Sequence, residues 1–208
     1  MTSLSPGSAD ALLFDLGRVV LDIDFSKAIA CWAGHAGLEP EAIVTRYERD
    51  SEAYRLHEVG RISDEDYFQS LRSSLGIGIS DAQFLEGWNA IFAGEMPDIA
   101  ELLPRAAKQM PLYAFSNTNR PHVDHFSKEY ADLLGHFRAL YLSSSIGLRK
   151  PDAEAFDHVV TAMGVPANRI VFFDDLAANV EGARARGLKA VHVTSPRDVG
   201  IALKALGI

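Results

Sequence analysis

The sequence predicts an α/β fold: a Rossmann-like parallel sheet covered by helices on both faces, with an inserted all-helical cap. Three observations predict it. First, short apolar runs at Ala11–Phe14, Leu112–Phe115 and Ile170–Phe173 each stop at polar residues, as strands buried on both faces of a parallel sheet do. Second, after Pro97 such runs alternate with helical stretches, and alternation implies parallel strands joined by helices. Third, from Phe25 to about Phe92 the texture is helix after helix with no convincing strand. This block interrupts the alternation, which divides the chain into a core of residues 1–24 and 95–208 and a cap of residues 25–94.

In order along the chain, Met1–Asp10 reads as a loose leader rich in Ser, Pro and Gly, and the first strand covers about Ala11–Asp15. The inserted block holds candidate helices at Ser26–Ala36 and Pro40–Glu58. A third is announced by Ser63 as N-cap ahead of Tyr67 and Phe68. Ser80-Asp81-Ala82-Gln83 has capping-box spacing before Phe84, Trp88, Ile91 and Phe92, giving a fourth. The alternating part then reads as helix 98–110, strand 112–115, helix 121–134 and a short extended piece at 139–142. It continues with helix 152–163 behind Pro151, strand 170–173, helix 177–186 closed by Gly187, strand 190–193 and helix 199–206. No internal repeat or low-complexity segment interrupts it.

The totals bound the function. A chain of 208 residues, 48% hydrophobic and 23% charged, is long enough for a substantial core. A net charge of −8 without a basic block argues against nucleic acid or an anionic membrane as partner. The single cysteine, Cys31, cannot form an internal disulfide, which fits a reducing cytosol. Met1–Asp10 lacks a basic region followed by an apolar core, and no apolar run approaches the roughly 20 residues that span a bilayer. The expectation is a soluble cytoplasmic protein, monomer or homodimer, whose partner is a small metabolite.

The chemistry collects at strand ends. Three strands stop at Asp15, at Ser116-Asn117 and at Asp174-Asp175, and Lys150 lies in a loop between the last two. In a parallel sheet these ends share one edge, where open α/β sheets bind their ligands. Three carboxylates brought together raise one another's pKa, and a hard divalent cation such as Mg²⁺ relieves that repulsion. A carboxylate nucleophile, a metal, a lysine and a hydroxyl are the parts that position and neutralise a transferring phosphoryl group. Taken singly, each residue has an ordinary reading as a helix cap, a turn or a solvated loop lysine; the set, in this order, carries the catalytic one. Receiver domains of response regulators use similar parts, but with the acidic pair first and the acceptor Asp after it. Here the single Asp comes first and the pair last.

That order resembles the haloacid dehalogenase-like hydrolases, a superfamily of mostly Mg²⁺-dependent phosphatases. The resemblance rests on Phe14-Asp15-Leu16-Gly17, Ser116-Asn117, Lys150-Pro151 and Phe173-Asp174-Asp175-Leu176-Ala177-Ala178-Asn179 with Glu181-Gly182-Ala183. The longer strings FDLGRVVLDID from Phe14, SNTNR from Ser116 and GLRKP from Gly147 are similar to a bacterial subgroup of sugar-phosphate phosphatases that includes α-D-glucose 1-phosphate phosphatase. The resemblance implies that Asp15 attacks phosphorus to form an aspartyl-phosphate, that Ser116 and Asn117 bind phosphoryl oxygens, and that Lys150 neutralises them and orients Asp15. It further implies Mg²⁺ held by Asp15, Asp175 and the Gly17 carbonyl. Asp174 would act as a ligand through water or as a supporting carboxylate, and Gly182 would let its helix pack closely.

One departure stands out. Most phosphatases of the superfamily carry a second Asp, as general acid and base, where this chain has Gly17; losing such a group costs about 10²–10⁴-fold. Asp22 and Asp24 are the nearest further carboxylates. The dehalogenase branch has the same gap, and a phosphate- or partner-binding protein with slow turnover is the non-enzymatic alternative, but the acidic pair favours a metal and phosphate chemistry. Tyr47, Tyr54, His57, Trp88 and Asn119 or Arg120 are candidates to touch a sugar. Against that, aromatics at helical spacing ordinarily form the cap's own core, and His57 reads as a surface residue ahead of an acid/base substitute.

Overall fold

The apolar runs do become strands. The computed structural model describes residues 4–48 and 51–208. β1 (Ala11–Phe14), β4 (Leu112–Ser116), β5 (Ala139–Leu142), β6 (Ile170–Asp174) and β7 (Lys189–His192) form one parallel sheet in the order β5-β4-β1-β6-β7. The three inner strands are buried along their whole length, which is why they read as unbroken apolar runs, whereas β5 and β7 at the edges are half-exposed.

Strand alternation splits the inner residues between two faces. Leu12, Phe14, Val171 and Phe173 point to one side, where Phe14 stacks on Phe173 with ring centres 4.6 Å apart. That side is covered by α6 (Ile99–Ala107), α7 (Arg120–Glu129), α8 (Ala131–Leu134) and α12 (Pro196–Leu206), through Leu103, Phe126, Leu133 and Leu203. Leu13, Phe115 and Phe172 point to the other side, against Phe156 and Val159 of α10 (Ala153–Met163) and Ala183 of α11 (Ala177–Ala185). Gly182 is where α11 comes close: an added Cβ would lie 2.8 Å from the Pro151 carbonyl oxygen and 3.0 Å from Phe156.

The segment between β1 and α6 carries α1 (Phe25–Ala36), α2 (Pro40–Val44), α3 (Glu52–Glu58), α4 (Asp64–Leu75) and α5 (Asp81–Asn89). These helices own a separate apolar cluster built on Trp32, Tyr67, Leu71, Phe84 and Trp88. Their caps form as the sequence predicts: the Ser63 hydroxyl accepts from Asp66 N at 3.0 Å, and Ser80 and Gln83 make a reciprocal capping box. Gly87 leaves the space that the Trp32 indole fills, so α1 and α5 pack closely.

Three local features differ from the sequence reading. Residues 40–58 are not one helix; α2 stops at Val44 and α3 starts afresh behind Ser51, whose hydroxyl accepts from Tyr54 N at 3.2 Å. Residues 49–50 of that stretch, like residues 1–3 of the leader, lie outside the described residues. Two short strands were unforeseen: β2 (Leu21–Ile23) and β3 (Phe92–Glu95) pair antiparallel where the chain leaves and re-enters the core. β2 hides at the end of the apolar run Val19-Val20-Leu21, and Phe92 continues the helical spacing of Phe84, Trp88 and Ile91. The turn α9 (Ser143–Ile146) after β5 also escapes notice, since Ser-Ser-Ser has no helical pattern. Among the described residues no helix is long and apolar enough to cross a membrane.

Candidate active site

Parallel pairing of β1 with β4 and β6 brings Asp15, Ser116 and Asp174 to one sheet edge, as the sequence reading requires. Asp15 is fixed as soon as β1 ends: its N–H donates to Phe173 O at 2.8 Å, and its Oδ1 accepts from Leu16 N at 2.7 Å. The chain then turns tightly, with Val20 N and Leu21 N both donating to Leu16 O at 2.8 Å. Arg18 sits inside this turn at φ 60, a left-handed conformation that costs a non-glycine residue roughly 1–2 kcal/mol. Strain of this kind gathers at functional sites, and nothing in the sequence announced it.

Lys150 is the hub. Its ammonium, almost fully buried, lies 2.9 Å from Asp15 Oδ1 and 2.7 Å from Asp174 Oδ2, and donates to Phe115 O at 2.8 Å. Burial alone would push its pKa down; Asp15 and Asp174 more than reverse that and hold it above the ordinary lysine value. Asp15 moves the other way from a typical carboxylate. Burial, opposed by Lys150 and reinforced by Asp174, pushes its carboxyl up to about 7. Asp175 is also raised, by burial and then by Asp174.

The two acidic neighbours have different company. Both oxygens of Asp174 are engaged, accepting from Lys150 Nζ, from Asn179 Nδ2 at 2.9 and 3.1 Å and from Leu176 N at 2.9 Å. Asp175 lines a cavity of about 770 Å³ together with Asp15, Gly17, Ser116, Asn117 and Lys150. Ligand atoms of Asp15, Asp174 and Asp175 lie within 4.8 Å of one another, so three carboxylates face one ammonium. An all-oxygen set with excess negative charge fits a hard divalent cation of the Mg²⁺ type.

Asn117 lines the cavity, and its side chain has a structural partner. Its side chain donates to Lys150 O and accepts from Lys150 N, both at 2.9 Å, so the amide clamps the lysine's own peptide. Its side chain is therefore committed to shaping the lysine loop.

The sugar-contact candidates separate cleanly. Tyr54 lines the cavity; Tyr47, His57, Trp88, Asn119 and Arg120 do not. Trp88 and Asn119 are buried in a clasp between α5 and α7. Asn119 Oδ1 accepts from Trp88 Nε1 and from His122 N at 3.1 Å, its Nδ2 meets His122 Nδ1 at 3.0 Å, and His122 Nε2 meets Trp88 O at 2.9 Å. His57 is not at the surface: it is 2% exposed, stacks on Tyr67 and pairs with Asp64 Oδ1 at 2.7 Å. Burial lowers its pKa against the pull of Asp64. Arg120 is exposed beside Asp124. Asp24 caps α1, accepting from Ser26 N at 2.9 Å, and neither it nor Asp22 lines the cavity. Glu58, Arg149, Thr118 and Arg18 do line it and were not foreseen; Arg18, Thr118 and Arg149 each adjoin a predicted site residue, whereas Glu58 carried no positional hint.

A family profile described as haloacid dehalogenase-like hydrolase matches residues 9–187, most of the chain and every strand end just described. The chain belongs to this family. As a haloacid dehalogenase-like hydrolase it is similar to a D-ribitol-5-phosphate phosphatase of Bacteroides thetaiotaomicron, 25% identical over 90% of this chain and 93% of that protein. It is also similar to the GMP/IMP nucleotidase YrfG of Escherichia coli, 25% identical over 94% of this chain and 87% of that protein. In structure it resembles the family enzyme BT-2542 of Bacteroides thetaiotaomicron, solved with magnesium and inorganic phosphate. The TM-score is 0.78 at 24% identity, over 90% of this chain and 95% of the other.

Proposed function

We propose that this hydrolase is a Mg²⁺-dependent phosphomonoesterase acting on small sugar phosphates, with glucose 1-phosphate as the first candidate. The observation that carries the reading is the Lys150 ammonium between Asp15 and Asp174, with Asp175 close by: the carboxylates outnumber the ammonium they face, and a further cation favours their ionised forms. A relative named as a phosphatase and one named as a nucleotidase support the phosphoester part of it.

In this reading Asp15 attacks phosphorus, the leaving oxygen departs, and water later hydrolyses the aspartyl-phosphate. Ser116 Oγ donates to a phosphoryl oxygen, and the main chain around Asn117 lies beside it. Lys150 offsets phosphoryl charge and holds Asp15 in line, while Asp174 holds Lys150. Asp15, Asp175 and the Gly17 carbonyl would hold Mg²⁺, which supplies positive charge for the phosphoryl oxygens. Asp174, with its oxygens engaged by Lys150, Asn179 and Leu176, serves as the supporting carboxylate. Residues 25–94 act as the cap and residues 1–24 with 95–208 as the hydrolase core; the β2–β3 ribbon at both crossings favours that division.

A panel of phosphorylated metabolites, with and without Mg²⁺, tests the reading. It should include esters with apolar leaving groups, because Ile23, Phe25 and Phe92 form an apolar part of the cavity wall. Phosphate release should require Mg²⁺ and fall at least about 10³-fold in Asp15→Asn. Release that survives that substitution sinks the nucleophile, and halide release from 2-haloacids without metal would favour the dehalogenase branch.

A further inference from the structure

One residue of the helical block is tied to the core through both its main chain and its side chain. Glu58 closes α3, and its carbonyl lies 2.7 Å from Ser143 Oγ, whose single proton it shares with Thr118 O at 2.9 Å. Its carboxylate, 4% exposed, accepts from Arg149 Nε at 3.0 Å and Nη2 at 2.9 Å, and burial beside that carboxylate's charge raises the pKa of the Tyr54 hydroxyl. Two residues on, Gly60 adopts φ 67 against the core, where a Cβ would lie 3.2 Å from Ser144 O.

The core ends of this tether abut the site. Ser143 Oγ also accepts from Thr118 N at 2.8 Å, two residues beyond Ser116. Arg149 directly precedes Lys150. Tyr54, Arg55, Glu58 and Arg149 all line the cavity that contains Asp15. With Glu58 buried and Arg149 partly exposed, the ion pair is a poor device for stability, since the cost of desolvating its charges offsets their attraction. Placed between two units and along a cavity, it supplies what an apolar contact cannot: a fixed register between α3 and the lysine loop, and charged groups that hydrogen-bond hydroxyls.

We propose that the Glu58–Arg149 pair determines specificity for the leaving group. It seats α3 so that Tyr54, Arg55 and Glu58 form the wall met by leaving-group hydroxyls, while phosphoryl transfer proceeds at Asp15. This rests on the phosphomonoesterase reading. A site built to hydrogen-bond a hydroxyl discriminates strongly against an analogue that lacks it.

The test uses full-length protein with Mg²⁺ and two substrates: the best sugar phosphate of the panel, and acetyl phosphate, whose leaving group has no hydroxyl. In Glu58→Gln and in Arg149→Met, the ratio of kcat/KM for sugar phosphate over acetyl phosphate should fall at least about tenfold, mainly through KM. The exchanged pair Glu58→Arg with Arg149→Glu should regain part of it. An unchanged ratio, or equal losses on both substrates with no regain, overturns the proposal. Wild-type protein that releases phosphate from no ester sinks the phosphomonoesterase reading instead. Amide hydrogen exchange across residues 52–60 then judges the seating alone: faster exchange in Glu58→Gln supports it, and unaltered exchange ends it.

Discussion

Two buried polar clusters flank one cavity, and they are built on opposite principles. Asp15, Lys150 and Asp174, with Asp175 beside them, are charged and unbalanced, and carboxyl groups there are pushed up toward neutrality. Trp88, Asn119 and His122 are neutral and mutually satisfied; burial pushes the His122 imidazole down to about 3, so it stays uncharged. A closed neutral network gives a defined joint between α5 and α7. An open charged one stores unfavourable electrostatics that a bound cation relieves. The contrast teaches that burial of polar residues is no mark of chemistry; uncompensated charge is.

The sharpest way to break the comparison is Lys150→Met. It leaves Asp15 and Asp174 buried together without their cation, and should cost about 3–5 kcal/mol at neutral pH by denaturant unfolding. Part should return on acidification, as the carboxylates take up protons. A loss under about 1 kcal/mol would show that the cluster is not electrostatically strained.

Asn119→Ala attacks the neutral cluster instead. It orphans the Trp88 indole N–H and the His122 main-chain N–H, for a cost of about 2–4 kcal/mol with Mg²⁺ affinity unchanged. A change in Mg²⁺ affinity measured by titration calorimetry would mean that the two clusters are coupled.

Gly17→Asp adds a carboxylate to the charged side. A Cβ there would meet Ile23 Cγ1 at 3.5 Å, an ordinary contact, so the change is sterically tolerated. Turnover of phosphoesters with poor leaving groups should rise by up to about 10²-fold if a general acid is what the site lacks. No gain in steady-state rate would indicate that another group already does that work.

The smallest effect is a pH dependence. A carboxyl whose folded pKa is raised, like that of Asp15, contributes stability that is complete below its ordinary 3.8 and lost as pH climbs through about 7. His122 has the opposite sign, contributing above 6.5 and losing its contribution as pH falls toward about 3. Comparing Tm with and without Mg²⁺ at each pH cancels the His122 part. The gain from Mg²⁺ should be larger near about pH 8 than near about pH 5, where protons compete for Asp15. Equal gains at both would place Mg²⁺ away from Asp15.

Much of this was legible in one dimension because the inner strands are buried on both faces, so Ala11–Phe14, Leu112–Phe115 and Ile170–Phe173 had to be continuous apolar runs, and the residue ending each had to sit at one sheet edge. Helix starts at Ser63 and Ser80 were legible because caps are local. The β2–β3 ribbon was not, since its pairing joins residues some seventy positions apart and neither strand has room for a pattern.

By itself, then, the sequence determined the order of the strand ends and the chemical kind of what they carry: a carboxylate, a hydroxyl, a lysine and an acidic pair. Only the tertiary structure decided how those groups are shared out. Asn117 turned its amide to the lysine loop, Asp174 gave its oxygens to Lys150, Leu176 and Asn179, and Trp88 and Asn119 closed a joint instead of facing the cavity. Glu58 and Arg149 found each other across 91 residues. Local patterns fix what a segment becomes, but a buried polar atom takes whichever partner the packed fold brings within hydrogen-bond reach, and that choice is written in no single stretch of sequence.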